Sequence, residues 1–161
     1  HLLVLYSIAR FLPARTIVEI GTDDGSSTLP LLLAAAQIGG VLHSVDPAPC
    51  ETARARVRAS GYGQHWVFHN MTSAEYAKHC FAALDLVLID GDHSDDGVAS
   101  DWRNFSPKVR VGGLVLFHDK CNTADFPGIA KLIDEEIRPR TDWEQMTLPF
   151  GWGLTLCRRL A

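Results

Sequence analysis

Five apolar runs of strand length, Thr16–Ile20, Val41–Val45, His65–His69, Leu84–Ile89 and Gly113–Phe117, alternate along this chain with segments of helical spacing. Those segments run from Leu29 to Ile38, Glu51 to Ser60, Ser73 to Phe81 and Val98 to Phe105. Leu86-Val87-Leu88-Ile89 carries no polar alternation, as expected of a strand covered on both faces. The alternation therefore predicts parallel βαβ units with right-handed crossovers. The end of the chain breaks the rhythm. A helix over Gly128–Ile137 is followed by two strands, Trp143–Thr147 and Gly153–Cys157, with only Leu148–Trp152 between them. So short a link holds no crossover helix, and the two strands must pair antiparallel. The expected fold is α/β and Rossmann-like: a doubly wound, mostly parallel seven-stranded sheet closed by a C-terminal antiparallel hairpin.

With 161 residues the chain is the size of one domain, and residues 1–161 are taken as a single unit. The opening stretch, His1 to Arg10, reads as an amphipathic helix in a chain cropped at its N-terminus; it lacks the basic start of a signal peptide. No run reaches the roughly 18 apolar residues that span a bilayer, so no membrane partner is expected. Fifteen Lys and Arg against nineteen Asp and Glu give a net charge of -4 without a basic stretch, which argues against nucleic acid. Cys50, Cys80, Cys121 and Cys157 form no CxxC pair and read as free thiols of a cytoplasmic protein.

Four strand ends carry chemistry. After the first strand comes Glu19-Ile20-Gly21-Thr22-Asp23-Asp24-Gly25-Ser26-Ser27, a glycine-bearing loop that opens a helix. Its Gly-x-x-x-Gly spacing lacks the middle glycine that makes room for a dinucleotide pyrophosphate. Asp23 and Asp24 would repel a diphosphate but tolerate an amino-acid-bearing cation. After the second strand, Asp46 is an acceptor-only group suited to both hydroxyls of a ribose. The fourth and fifth strands end in Asp90-Gly91-Asp92-His93-Ser94 and Phe117-His118-Asp119-Lys120. Asp90, His118 and Asp119 could hold a hard cation such as Mg²⁺, and His93 has a pKa range suited to a general base. Blander alternatives stand beside each: an ordinary βα turn, a helix cap at Asp46, turn residues at Asp92, Asp95 and Asp96, and a core histidine at 118. Trp152 and Phe150, in the hairpin loop, read as packing or as substrate contacts.

Together, Glu19-x-Gly21-x-x-x-Gly25-x-Ser27, Asp46, Ile89-Asp90-Gly91-Asp92-His93-Ser94 and Gly112-Gly113…Phe117-His118-Asp119 resemble the class I S-adenosylmethionine-dependent methyltransferases. The similarity is greatest to the branch of macrolide-sugar O-methyltransferases and cephalosporin-biosynthesis methyltransferase-like proteins. The resemblance implies methyl transfer from S-adenosylmethionine to a hydroxyl of a small-molecule acceptor. It further implies that Glu19, Gly21, Thr22, Asp23, Gly25 and Ser27 border the methionine part of the cofactor, and that Asp46 holds the ribose. Met71 and Thr72 would border the adenine, and Asp90 would sit between cofactor and metal. Asp119 would be a second metal ligand, and His93 the base. The chain departs from that branch at His118, where an acidic ligand is usual, and at Lys120, where catechol-type relatives have an amide. An uncovered crevice is compatible with a homodimer. The competing functions are an NAD-dependent oxidoreductase and a non-catalytic S-adenosylmethionine-binding protein.

Overall fold

The computed structural model describes residues 1–80 and 83–161. Its strands are β1 (Thr16–Ile20), β2 (Val41–Val45), β3 (Trp66–His69), β4 (Leu84–Ile89), β5 (Val109–His118), β6 (Trp143–Leu148) and β7 (Leu154–Arg159). They form one seven-stranded sheet in the order β3-β2-β1-β4-β5-β7-β6. β1 to β5 run parallel, and β7 is antiparallel to both β5 and β6. The expected doubly wound sheet with its terminal hairpin is the observed one.

Helices α1 (Leu2–Phe11), α2 (Thr28–Ile38), α3 (Glu51–Ser60), α4 (Ser73–Ala77), α5 (Asp95–Phe105) and α6 (Pro127–Lys131) cover the sheet. Two cores result, one per face. Leu86 and Leu88 of β4 pack with Leu5 and Ala9 of α1 and with Leu31 and Leu32 of α2. Val87 and Ile89, one residue out of phase, pack with Val98, Trp102 and Phe105 of α5 and with Ile129 of α6. The unbroken apolar run in β4 is thus explained by burial on both sides. No helix among the described residues is long and apolar enough to cross a membrane.

Several boundaries differ from the sequence expectation. His65 is not in β3 but closes a 3-10 turn over Gly63–His65, where its Nδ1 lies 2.8 Å from the Gly40 carbonyl oxygen. α4 ends at Ala77, well short of Phe81, which lies outside the described residues. α5 starts at Asp95 rather than Val98, because the Ser94 hydroxyl accepts the Gly97 N–H and caps it. β5 begins four residues before Gly113. Its register against β4 shifts between Leu84 and Leu86, and Gly112 at φ +79° absorbs the irregularity. Beyond α6 the helix widens to π-type hydrogen bonding over Leu132–Ile137.

Candidate active site

The strand order reverses between β1 and β4, so the crevice of this sheet opens at their carboxyl ends. Backbone hydrogen bonds bring three strand ends together there. Gly21 N–H donates to Val45 and Asp90 N–H donates to Ile20, so β2 and β4 flank the start of the β1 loop. A cavity of about 1060 Å³ lies above them. Of the residues singled out from sequence, Gly21, Thr22, Asp23, Ser27, Asp46, Thr72, Asp90, His93, His118 and Asp119 line it.

Three do not. Glu19 is fully buried beneath the loop. It accepts hydrogen bonds from the hydroxyls of Ser27 (2.7 Å), Thr28 (2.8 Å) and Ser44 (2.6 Å), and so ties the loop and α2 to β2 from behind. A Cβ on Gly25, at φ +84°, would lie 2.8 Å from the Ala53 side chain, so this glycine serves the close approach of α3. Met71 lines a separate hollow with His43, His69 and Tyr76. Its neighbour Thr72 turns the chain by a capping box with Glu75.

Asp46 is held by the loop it faces. Its carboxylate accepts the backbone N–H groups of Thr22 (2.9 Å), Asp23 (3.2 Å) and Ala48 (2.8 Å). Burial alone would raise its pKa, but these donors outweigh it and hold the carboxyl below its ordinary value. The Cys50 thiol is a further partner of this carboxylate, so a ligand's hydroxyls at Asp46 would share an oxygen with, or displace, one of these donors. Beside Asp46 the Thr22 hydroxyl is buried in the cavity wall with no hydrogen-bond partner among the described residues. A buried orphan of this kind takes its partner from outside the chain, an ordered water or a bound group.

Across the cavity, Asp90, His93 and Asp119 offer one ligand atom each, all within 4.8 Å of one another. His93 Nε2 is 3.3 Å from Asp90 Oδ1 and 3.8 Å from Asp119 Oδ2. The hydrogen bond to Asp90 raises the pKa of His93 against the opposing effect of its burial. His118 sits alongside, its Nδ1 3.0 Å from Asp119 Oδ1 and its Nε2 2.6 Å from His1 Nδ1. Asp119 holds its carboxylate there from a left-handed backbone, φ +62°, a conformation that aspartate tolerates and that recurs at working sites. Lys120, next in sequence, does not compete for the carboxylates; its Nζ is 2.9 Å from Asp134.

Sequence reasoning passed over Asp101, Asn122, Asp125 and Phe126, which also line the cavity. A signal existed for Asp101: it shares the apolar face of α5 with Val98 and Trp102, an unusual place for a carboxylate.

Glu19 makes a testable statement about stability. Burial pushes its carboxyl from the ordinary 4.5 up to about 7, against the three hydroxyl donors. The folded state therefore binds this proton more tightly than the unfolded chain does. The stabilisation is complete below pH 4.5 and is lost as pH rises to about 7, in total about 3 kcal/mol. Glu19→Gln is expected to flatten this slope, because the amide does not titrate; two of the hydroxyls can turn to accept from its N–H groups while the third still donates to its oxygen. Urea midpoints measured from pH 4.5 to 8 decide it; parallel slopes in both proteins would remove Glu19 as the source.

Among solved structures, the O-methyltransferase TomG of Streptomyces achromogenes, involved in tomaymycin synthesis and solved with S-adenosylmethionine, matches with a TM-score of 0.85. The two share 21% identity over 98% of this chain and 78% of that one. An O-methyltransferase of Bacillus cereus in complex with S-adenosylhomocysteine gives 0.82 at 18% identity, covering 97% of this chain and 79% of that one. A methyltransferase of Podospora anserina, bound to S-adenosylhomocysteine, gives 0.82 at 16% identity, covering 98% and 77%. At such identities the likeness establishes a shared fold. The family described as a methyltransferase domain matches residues 18–120, from within β1 to just past β5 and so across every parallel strand end at the cavity, and this chain belongs to it.

Proposed function

We propose that this chain transfers a methyl group from S-adenosylmethionine to a hydroxyl of a small acceptor. In this reading Asp46 holds the nucleoside, Asp90 and Asp119 hold a divalent cation, and His93 accepts the hydroxyl proton. The observation that carries it is the placement of two carboxylate sites on either side of one residue pair. Ile20 and Gly21 are hydrogen-bonded to Asp90 on one flank and to Val45, the residue before Asp46, on the other. A nucleoside held at Asp46 thereby lies beside whatever Asp90 and His93 hold.

The residues present fit the methyl donor. The cavity volume suits a ligand of that size, the buried Thr22 hydroxyl lacks a partner, and Asp46 is ionised and half-exposed. Asp23 and Ser27 line the part assigned to the methionine, and Thr72 the part assigned to the adenine. When bound, the sulfonium supplies a methyl group that is already electrophilic, so the protein's task is alignment and proton removal. TomG and the Bacillus cereus protein, which bind S-adenosylmethionine or S-adenosylhomocysteine, support this choice of cofactor over a nicotinamide.

The donor set also fits a hard divalent cation: two carboxylates and an imidazole converge while the nearest ammonium is engaged elsewhere. When bound there, Mg²⁺ would lower the pKa of the acceptor hydroxyl and orient it. His93 is held against Asp90 on one side and against the Phe126 ring on the other, with ring centroids 4.3 Å apart. The distances of its Nε2 to both carboxylates favour, as the alternative to accepting the proton, a role as third ligand to the cation.

Calorimetry with S-adenosylhomocysteine tests the reading. The wild-type protein is expected to bind, and Asp46→Ala to bind roughly 10²-fold more weakly through loss of charged hydrogen bonds to the ribose. An unaltered dissociation constant would contradict the ribose assignment. Absence of heat with the folded wild-type protein would end the whole proposal.

A further inference from the structure

One buried acid in the cavity wall has no part in the reaction described above. Asp101 lines the cavity and is only 2% exposed. It sits on the face of α5 that carries Val98, Trp102 and Phe105 into the core, where a carboxylate without donors is costly. Burial pushes its carboxyl up to about 6, against the hydrogen bond from the Ser73 hydroxyl, so at neutral pH the group is ionised and can only accept. Among the described residues that hydroxyl is its one hydrogen-bond donor, and no basic side chain pairs with it. An ionised carboxylate has room for about four donors.

Its surroundings identify the missing donor. β3 lies beyond β2 in the sheet, on the side away from β4. The Asp46 N–H donates to the His69 carbonyl at the end of β3, and the Asn70 amide donates to the carbonyls of Asp46, Pro47 and Ala48. The turn after β3 is thereby fastened to the turn that carries Asp46. It leads into Thr72 and Ser73, which open α4 and line the cavity. α5 packs against α4, with the rings of Tyr76 and Phe105 stacked at 6.3 Å between centroids, and so brings Asp101 to Ser73. In the methyl donor the base and the sulfur-bearing chain leave from opposite ends of the ribose. With the ribose at Asp46 and the chain directed to Asp90, the base points to Thr72, Ser73 and Asp101.

An ionised carboxylate beside a hydroxyl matches one edge of adenine. The 6-amino group donates, and the ring nitrogen next to it accepts. A 6-oxo base would instead set an oxygen against the carboxylate, lone pair against lone pair. We infer that Asp101 selects the nucleobase of the methyl donor, its carboxylate accepting the 6-amino group of adenine while the Ser73 hydroxyl turns to the neighbouring ring nitrogen. This rests on the methyl-transfer reading above and adds a specificity-determining residue to it. An acid that served to tie α5 to α4 would treat both bases alike.

The test titrates the full chain calorimetrically with S-adenosylhomocysteine and with its 6-oxo analogue, S-inosylhomocysteine. The wild-type protein is expected to favour the amino compound about 10²-fold, the size of a hydrogen bond to a buried charge that the analogue leaves unmade. Asp101→Asn keeps the shape of the side chain and can present its own N–H groups to the 6-oxo oxygen, so the preference is expected to vanish or reverse. Asp101→Ser, which replaces the charge by a hydroxyl, is expected to lose the preference as well and serves where the amide variant fails to fold. Equal affinities in the wild-type protein, or a preference that the variants leave unchanged, would overturn the inference while the cofactor assignment stands. Failure of S-adenosylhomocysteine itself to bind would overturn both.

Discussion

Replacing His93 with alanine is expected to cut methyl transfer by about 10²–10⁴-fold, the usual contribution of a general base, while S-adenosylhomocysteine binds as before. The expectation comes from placement. His93 lies three residues beyond Asp90 in the turn that leads to the Ser94 cap, so its ring is carried by β4 on one side and α5 on the other. Asp90 fixes one edge of the ring and Phe126 covers a face. The hydrogen bond to Asp90 favours the protonated imidazole, which makes His93 a stronger proton acceptor than a free histidine. The nucleoside site at Asp46 lies on the other flank of the β1 loop, so its affinity is independent of the imidazole. The same variant separates the two roles open to His93. A turnover defect with unchanged Mg²⁺ affinity assigns the proton, whereas a defect that saturating Mg²⁺ repairs assigns a ligand. Undiminished turnover with a genuine acceptor would take His93 out of the mechanism.

The features legible in the sequence were those set by periodicity and by chain reach. The apolar run Leu86–Ile89 could only be a strand covered on both faces, and the short link from Leu148 to Trp152 could only join a hairpin. Carboxylates at strand ends were legible for the same reason, because parallel strands deliver their ends to one edge. What stayed hidden depends on register and side-chain direction. Glu19 lies level with Ser44 across the β1–β2 pair, and this pairing turns an expected cofactor contact into a buried anchor for three hydroxyls. Met71 precedes a capping box, and the turn that box imposes sends its side chain away from the cavity. Lys120 stands beside Asp119 in sequence, yet its ammonium reaches Asp134, fourteen positions on. Asp125 and Phe126 lie in a loop without period or glycine pattern, so nothing in the chain announced them. The helix expected over Gly128–Ile137 keeps its apolar face through Ile129, Leu132, Ile133 and Ile137, and no residue type marks where its hydrogen bonding widens.

Gly21→Ala is expected to be among the most damaging single-methyl changes in the protein. The added Cβ would sit 2.2 Å from the Asp90 carbonyl oxygen, 2.7 Å from its carbon and 2.8 Å from the Gly91 Cα. All three are backbone atoms at the central strand ends, so none can swing aside as a side chain would. Gly21 also holds φ at +88°, which an alanine adopts only with strain. Strain and overpacking together cost about 2–6 kcal/mol, a large part of the roughly 5–15 kcal/mol that holds a domain folded. Gly61 provides the control: it too has a positive φ, +77°, but no atom lies within 4 Å of its Cβ position. Gly61→Ala should therefore show the backbone strain alone, about 1–3 kcal/mol. Relief of the Gly21 clash has to part β1 from β4, which moves the loop away from Asp46 and Asp90 away from Asp119. The surviving folded protein is thus expected to lose affinity for S-adenosylhomocysteine and for Mg²⁺ together, although Gly21 bears no group that binds either. Urea unfolding of both variants, followed by calorimetry with each ligand, measures the two effects. If Gly21→Ala matched Gly61→Ala in stability and kept both affinities, the close contact between these strand ends would not be what joins the two halves of the site.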